Sequence, residues 1–155
     1  MIKQVETFLE RHETHQLLNQ HAFERAGRFL LPLPMLWLSD LKFGQLLLDL
    51  GKSGDRDGNS GKRTVRVSFI LNLSTVGDLR ADFTILDKAV SGMFGLASEA
   101  ACATVRNQLP ELVKRLQMHG YTVYDITCQV LAPETLNTMT LVDQVARDGV
   151  LNVVI

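Results

Sequence analysis

Cysteine is scarce in this sequence. Cys102 and Cys128 are the only two in 155 residues. Two thiols so far apart in sequence make no disulfide framework, and a reducing compartment is the simpler setting. Both sit in apolar patterns and read as small buried hydrophobes. There is no long apolar run. The longest, "FLLPLPMLWL" from Phe29 to Leu38, is too short to span a bilayer and holds two prolines. The first residues, "MIKQVETFLERHETHQ", lack the apolar core of a secretory signal. Charge of one sign is lacking too. A net charge of −1 and a pI near 6.4 argue against a nucleic-acid binder, which shows a basic face. What is present is ordinary for a globular chain: 46% hydrophobic and 21% charged residues, enough for one domain with its own core.

Three stretches imitate functional motifs and fail. "GKSGDRDGNSGKRT", Gly51 to Thr64, suggests a phosphate cradle. A P-loop needs Gly, four residues, then Gly-Lys-Ser/Thr, placed between a strand and a helix. Leu46 stands where the first glycine of Gly51-Lys52-Ser53 belongs, and Gly61-Lys62 is followed by Arg63. The same stretch offers Asp55, Asp57 and Asn59 at alternate calcium-loop positions. Ser60 replaces the turn glycine, however, and Arg66 stands where a bidentate Glu is required. The stretch reads as a solvated connection rich in turn residues. "HETH", His12 to His15, separates its histidines by three positions where a zincin helix needs four, and His21 and His119 supply no third ligand. No nucleophile elbow, Ser-His-Asp order or dinucleotide fingerprint is present, so no catalytic, cofactor or metal site is expected.

The patterning predicts an α+β fold. Val5, Phe8, Leu9, Leu17 and Leu18 lie on a polar background, which predicts an amphipathic N-terminal helix over residues 2–25, broken near His15. "FLLPLPMLWL" reads as an edge strand because Pro32 and Pro34 cannot donate ladder hydrogen bonds. Trp37 reads as a core anchor. "GQLLLDL" predicts a strand over 45–50. "TVRVSFILNL" alternates with Val65, Val67, Phe69, Leu71 and Leu73 on one face. After a turn at Gly77, "DLRADFTIL" repeats the pattern, with Arg80 and Asp82 pointing the other way. Asp87-Lys88 turns into "AVSGMFGL", whose two glycines mark bends or close backbone approach. These short connections predict antiparallel neighbours.

Ser98 caps a helix from about Glu99 to His119, with a stripe of Val105, Leu109, Leu112, Val113 and Leu116. Pro110 inside it predicts a kink or two abutting pieces. Gly120 closes it. "YTVYDITCQVL" returns as a strand with Tyr124, Ile126, Cys128 and Val130 on one face. The expected fold is therefore two-layer: a mainly antiparallel sheet covered by one long kinked helix, with an N-terminal helix and a C-terminal tail. Residues 1–28 form the helical segment, 29–132 the α+β domain and 133–155 the tail. A short helix is expected near Thr140 to Arg147. The apolar "VLNVVI" end is expected to pack on the domain.

The pieces "VSFILNLSTVGDLRADFTI" and "LPELVKRLQMHGYTVYDITCQV" together resemble the C-terminal domain of the flagellar hook-length control protein. That family reads as two alternating strands joined by a turn with Gly, a helix with Leu-Pro-x-Leu-x-x-x-Leu, then Gly and a last strand. Gly77-Asp78-Leu79 takes the place of the turn. Leu109, Pro110, Leu112, Leu116 and Gly120 match the helix signature, and "FLLPLPMLW" is similar to a Pro-containing strand that precedes the domain in some members.

The resemblance covers the chain from about Phe29 onward. It implies a non-enzymatic export-specificity switch without cofactors. Its partner would be the cytoplasmic domain of the flagellar export-switch membrane protein, with hook or hook-cap proteins as further contacts. The location implied is the cytoplasm, at the type III export apparatus, with the protein itself also exported. Val76, Gly77, Leu79, Leu112, Leu116 and Gly120 are the candidate partner-binding residues. Members carry a long low-complexity region ahead of this domain, where only about 28 residues stand here, so the chain reads as either a fragment or a short relative, for which the resemblance implies the switching role rather than length measurement. The competing expectation is a general adaptor or scaffold that docks through Val150 to Ile155.

Overall fold

A computed structural model describes residues 27–35, 42–50, 64–137 and 139–145. The expected N-terminal helix, Trp37, the glycine-rich stretch 51–63, the His12–His15 pair and the end of the tail lie outside these residues. Six strands form one sheet: β1 (Arg28–Met35), β2 (Lys42–Asp49), β3 (Thr64–Leu73), β4 (Gly77–Leu86), β5 (Ala89–Leu96) and β6 (Thr122–Val130). They lie side by side in chain order. The first four pairings are antiparallel, and the short turns at Gly77 and Asp87-Lys88 predict the last two of them. β6 alone runs parallel to its neighbour β5. Between them the chain crosses over as α1 (Glu99–Met118). A parallel partner needs a crossover of this kind, because a tight turn cannot bring the chain back in the same direction.

Local chemistry explains the ends of α1. Ser98 is extended, and its hydroxyl accepts from Ala101 N at 3.2 Å, satisfying a donor that the helix leaves open. At the far end Gly120 takes φ +81. Its N–H donates to Gln117 O at 2.9 Å, and Tyr121 N donates to Leu116 O at 3.0 Å. This pair of bonds is the Schellman closure, which a residue with a Cβ adopts only at a cost. α1 continues through Pro110 as one element of 20 residues, so the two-piece alternative is not the form it takes.

The register divides the sheet into two faces. Phe69 pairs with Ala81, and Ala81 with Phe94, which pairs with Cys128. These residues point to one face. There they form a core with Leu79, Leu96 and the α1 residues Ala101 and Cys102. The Phe83 ring lies 6.2 Å from that of Phe69 and 5.3 Å, edge to face, from that of Phe94. The two β5 glycines are places of close approach. The Phe83 ring lies over Gly92, and the Leu131 side chain fills the space above Gly95.

The opposite face has a core of its own. Leu30, Leu47 and Ile70 pack there against Leu141 and Val145. The last two come from α2 (Met139–Val145), which follows a single 3₁₀ turn at Pro133–Leu136. The expectation of one helix roofing one face is therefore corrected. Six strands at about 4.8 Å spacing span about 24 Å, and one helix is only about 10 Å across. α1 rests on β5 and β6, and the first part of the tail packs on the opposite face at the β1–β3 end. Arg80 and Asp82 point to that second face, as the alternation predicts, and they are engaged there. Asp82 accepts from Ser68 Oγ at 2.6 Å and from Arg80 Nε at 2.8 Å. Arg80 Nη1 reaches Thr135 O and Thr140 Oγ1, both at 3.4 Å. The sheet thus holds the tail with a polar latch beside the apolar core.

Candidate functional site at the helix–strand junction

The six candidate partner-binding residues do not converge. Leu79 is buried in the first core, and Val76 packs against the same core. Gly77 opens β4 with φ +76, and nothing stands within 4 Å of where its Cβ would be, so its conformation and not crowding requires glycine. Leu112 and Leu116 are half-buried on α1, and Gly120 is exposed beyond it. The turn residues lie near the start of α1, since Leu79 pairs with Leu96. Leu116 and Gly120 lie at its end, beside the β4–β5 turn, where Thr122 N donates to Lys88 O at 2.8 Å. The length of the helix, about 30 Å, separates the two groups.

The second group has neighbours that the sequence pattern did not single out. Met118 and Tyr124 are each 76% exposed, and Tyr121 between them is also exposed. Strict alternation predicts that Tyr124 points inward with Ile126 and Cys128. The pairing explains why it does not. Val90 pairs with Val123, but Ser91 pairs with Asp125, so Tyr124 is an extra residue opposite no partner. A bulge of this kind bends the strand and re-aims a side chain. The signal available in the sequence was faint: two tyrosines, Tyr121 and Tyr124, immediately after a helix-closing glycine.

β6 is the last strand of the sheet, and its outer edge is partly guarded. Leu131 N donates to Leu96 O at 2.8 Å, so the polar groups of the alternate residue Cys128 face outward. Arg106, from α1, donates through Nη2 to Cys128 O at 3.0 Å. Its Nη1 contacts the Glu99 carboxylate, whose hydrogen bond and charge raise the guanidinium pKa. Inside the edge, burial and a hydrogen bond with Cys102 push the Cys128 thiol up to about 12. The two cysteines, remote in sequence, are in contact between helix and strand as free buried thiols.

Other surfaces offer less. A half-open hollow of about 270 Å³ lies between Leu71, Asp78, Pro133 and Leu136. Among the described residues no group of three His, Cys, Asp or Glu side chains is placed to hold a metal ion. Among them, too, no helix is long and apolar enough to cross a membrane. Comparison with protein-family models, with curated proteins and with solved structures gave no match.

Proposed function

We propose that this chain is a non-catalytic switch domain that works by gripping another protein at the α1–β6 junction. The observation that carries the reading is the bulge at Tyr124, which turns a large aromatic ring to solvent; Met118 and Tyr121, a few residues earlier in the chain, are exposed as well. Exposed aromatic and methionine side chains are what protein-binding surfaces favour, and tyrosine supplies contact area at little entropic cost. The junction contains Leu116 and Gly120 of the helix signature that resembles the hook-length control family. The partner that follows from this resemblance is the cytoplasmic domain of the flagellar export-switch membrane protein. Binding there would change which substrates the export apparatus accepts.

Titration of the full chain against that cytoplasmic domain, followed by NMR shifts, tests the reading. Binding in the range of about 1–100 µM is expected, with shifts centred on Leu116 to Tyr124. Tyr124→Asp should weaken it at least about tenfold, as loss of a central aromatic contact does. No binding at the highest soluble concentration overturns the export-switch assignment. Binding unaffected by Tyr124→Asp overturns the choice of surface. Deleting 150–155 separates this from a docking tail, which alone predicts that the deletion abolishes binding.

A further inference from the structure

The hollow on the second face joins an apolar floor to an acidic rim. Ile70 and Leu136 are almost fully buried beneath it, and Pro133 stands beside them. Asn72, Asp78 and Asn137 also line it. The register sets this arrangement, since Asn72 pairs with Asp78 and Ile70 with Arg80 on the same face. The opposite wall is the 3₁₀ turn Pro133–Leu136. Thr135 N donates to Ala132 O and Thr140 N to Asn137 O, each at 3.0 Å, while Arg80 Nη1 reaches Thr135 O from the sheet. The cavity is thus formed by strands and a pinned turn, which hold their positions better than a loop does.

Its charge is unbalanced. Asp78 accepts from Asn72 Nδ2. An ionised carboxylate has about four acceptor sites, so this bond leaves Asp78 with others. Among the described residues no cation pairs with it. Arg80, two residues away on the same face, directs Nε and Nη2 to Asp82 and Nη1 to Thr135 and Thr140. Across from Ile70, Gln45 Oε1 is buried with no hydrogen-bond partner among the described residues, a second acceptor left unmet near the floor. The volume of about 270 Å³ falls just below the roughly 300–1,000 Å³ of pockets for drug-sized ligands. That is the scale of one side chain rather than of a nucleotide.

We propose that the hollow is a socket for one arginine side chain of a partner protein. The aliphatic stem lies on Ile70, Pro133 and Leu136, as arginine stems do on apolar surface, and the guanidinium meets the Asp78 carboxylate. Arginine suits the site better than lysine. Its planar fork offers a carboxylate two parallel N–H groups, and it is more weakly hydrated, so giving up water in a half-enclosed site costs less. This inference goes beyond the export-switch reading and does not rest on it. The hollow lies on the face opposite α1 and at the other end of the strands from Tyr124.

The test is an NMR titration of the full chain with the capped peptide acetyl-Ala-Arg-Ala-amide. Saturable shifts are expected at Asn72, Asp78, Leu136 and Asn137, with a Kd of about 1–20 mM, as a single side chain gives. The same peptide with citrulline, neutral and nearly the same shape, should bind at least about threefold more weakly. Asp78→Asn should weaken the arginine peptide by a similar factor. This variant alters no core residue, and its spectrum away from the hollow reports that the fold is kept. No saturable shift at these positions up to about 50 mM peptide overturns the proposal. So does equal binding of the citrulline peptide, or an Asp78→Asn variant that binds as tightly as the wild type. A lysine peptide that binds as well as the arginine one overturns the choice of guanidinium.

Discussion

Phe69 and Ile70 are neighbours in sequence and belong to different cores. Phe69 packs with the residues that α1 covers, and Ile70 with Leu30, Leu47 and the tail residues Leu141 and Val145. Both faces of β3 are therefore put to use, and the segment after β6 is part of the fold. Leu141 is fully buried. Leu141→Ala should destabilise the chain by about 2–4 kcal/mol, the range for a buried leucine whose cavity does not fully collapse. Urea unfolding measures this. A loss below about 0.5 kcal/mol would mean that α2 is a loosely held appendage.

Two glycines should respond differently to the same substitution. Gly77 has φ +76 and open space around it, so Gly77→Ala suffers only the backbone penalty, roughly 1–2 kcal/mol. A Cβ on Gly92 would meet the Phe83 ring and lie 2.8 Å from Asp82 O. Neither backbone nor a ring inside the core yields easily, so Gly92→Ala should cost about 2–3 kcal/mol. Phe83→Leu should recover part of that loss, since the clash is with the ring. Thermal melts of the three single variants and the Gly92/Phe83 double variant check the coupling. Strict additivity would show that the ring is not the obstacle.

The strands were legible because alternation is a property of adjacent residues. Val65 to Leu73 and Leu79 to Ile85 could be placed on faces without knowing their neighbours, and Ser98 and Gly120 marked the helix ends through local bonds. The second core was not legible. Leu30, Leu47 and Ile70 are each one apolar residue among neighbours of either kind, and only the pairing of three strands makes them a patch. The partners of Arg80 on the second face were not legible for the same reason, since Thr135 and Thr140 lie more than fifty residues away. At the candidate site, Tyr124 was assigned to the wrong face because an extra residue breaks the period of two. A bulge is set by pairing between strands, and a single strand's sequence does not carry it. Nor did the spacing of Cys102 and Cys128 show that helix and strand would bring them together.

Arg106 should act as a guard on the edge of β6. It takes up the outward carbonyl of Cys128, which would otherwise be open to a strand from another chain. Arg106→Ala is expected to leave the melting temperature nearly unchanged and to make sedimentation concentration-dependent. Arg106→Lys keeps the charge without the planar fork that reaches Glu99 and Cys128 together, so it should restore the monomer only in part. If Arg106→Ala stays monomeric at every accessible concentration, the edge is protected by something else.

The contact between Cys102 and Cys128 makes stability sensitive to alkali. In the fold, burial and then the hydrogen bond with Cys102 raise the Cys128 thiol from 9.0 to about 12. An unfolded chain releases this proton more readily than the folded one. Between pH 9 and about 12 the unfolded state therefore binds fewer protons, and stability falls as pH rises through that window. Below pH 9 both states hold the proton, and this contribution is constant. Denaturant midpoints of the wild type should decline from pH 8 to 10.5 more steeply than those of Cys128→Ala, each compared with its own value at pH 8. Both thiols should also resist alkylation in the native chain at pH 8 and react once urea exposes them. Equal slopes for the two proteins, or rapid labelling of Cys128 in the folded state, would show that its thiol is reached by water and that α1 does not seal this end of the sheet.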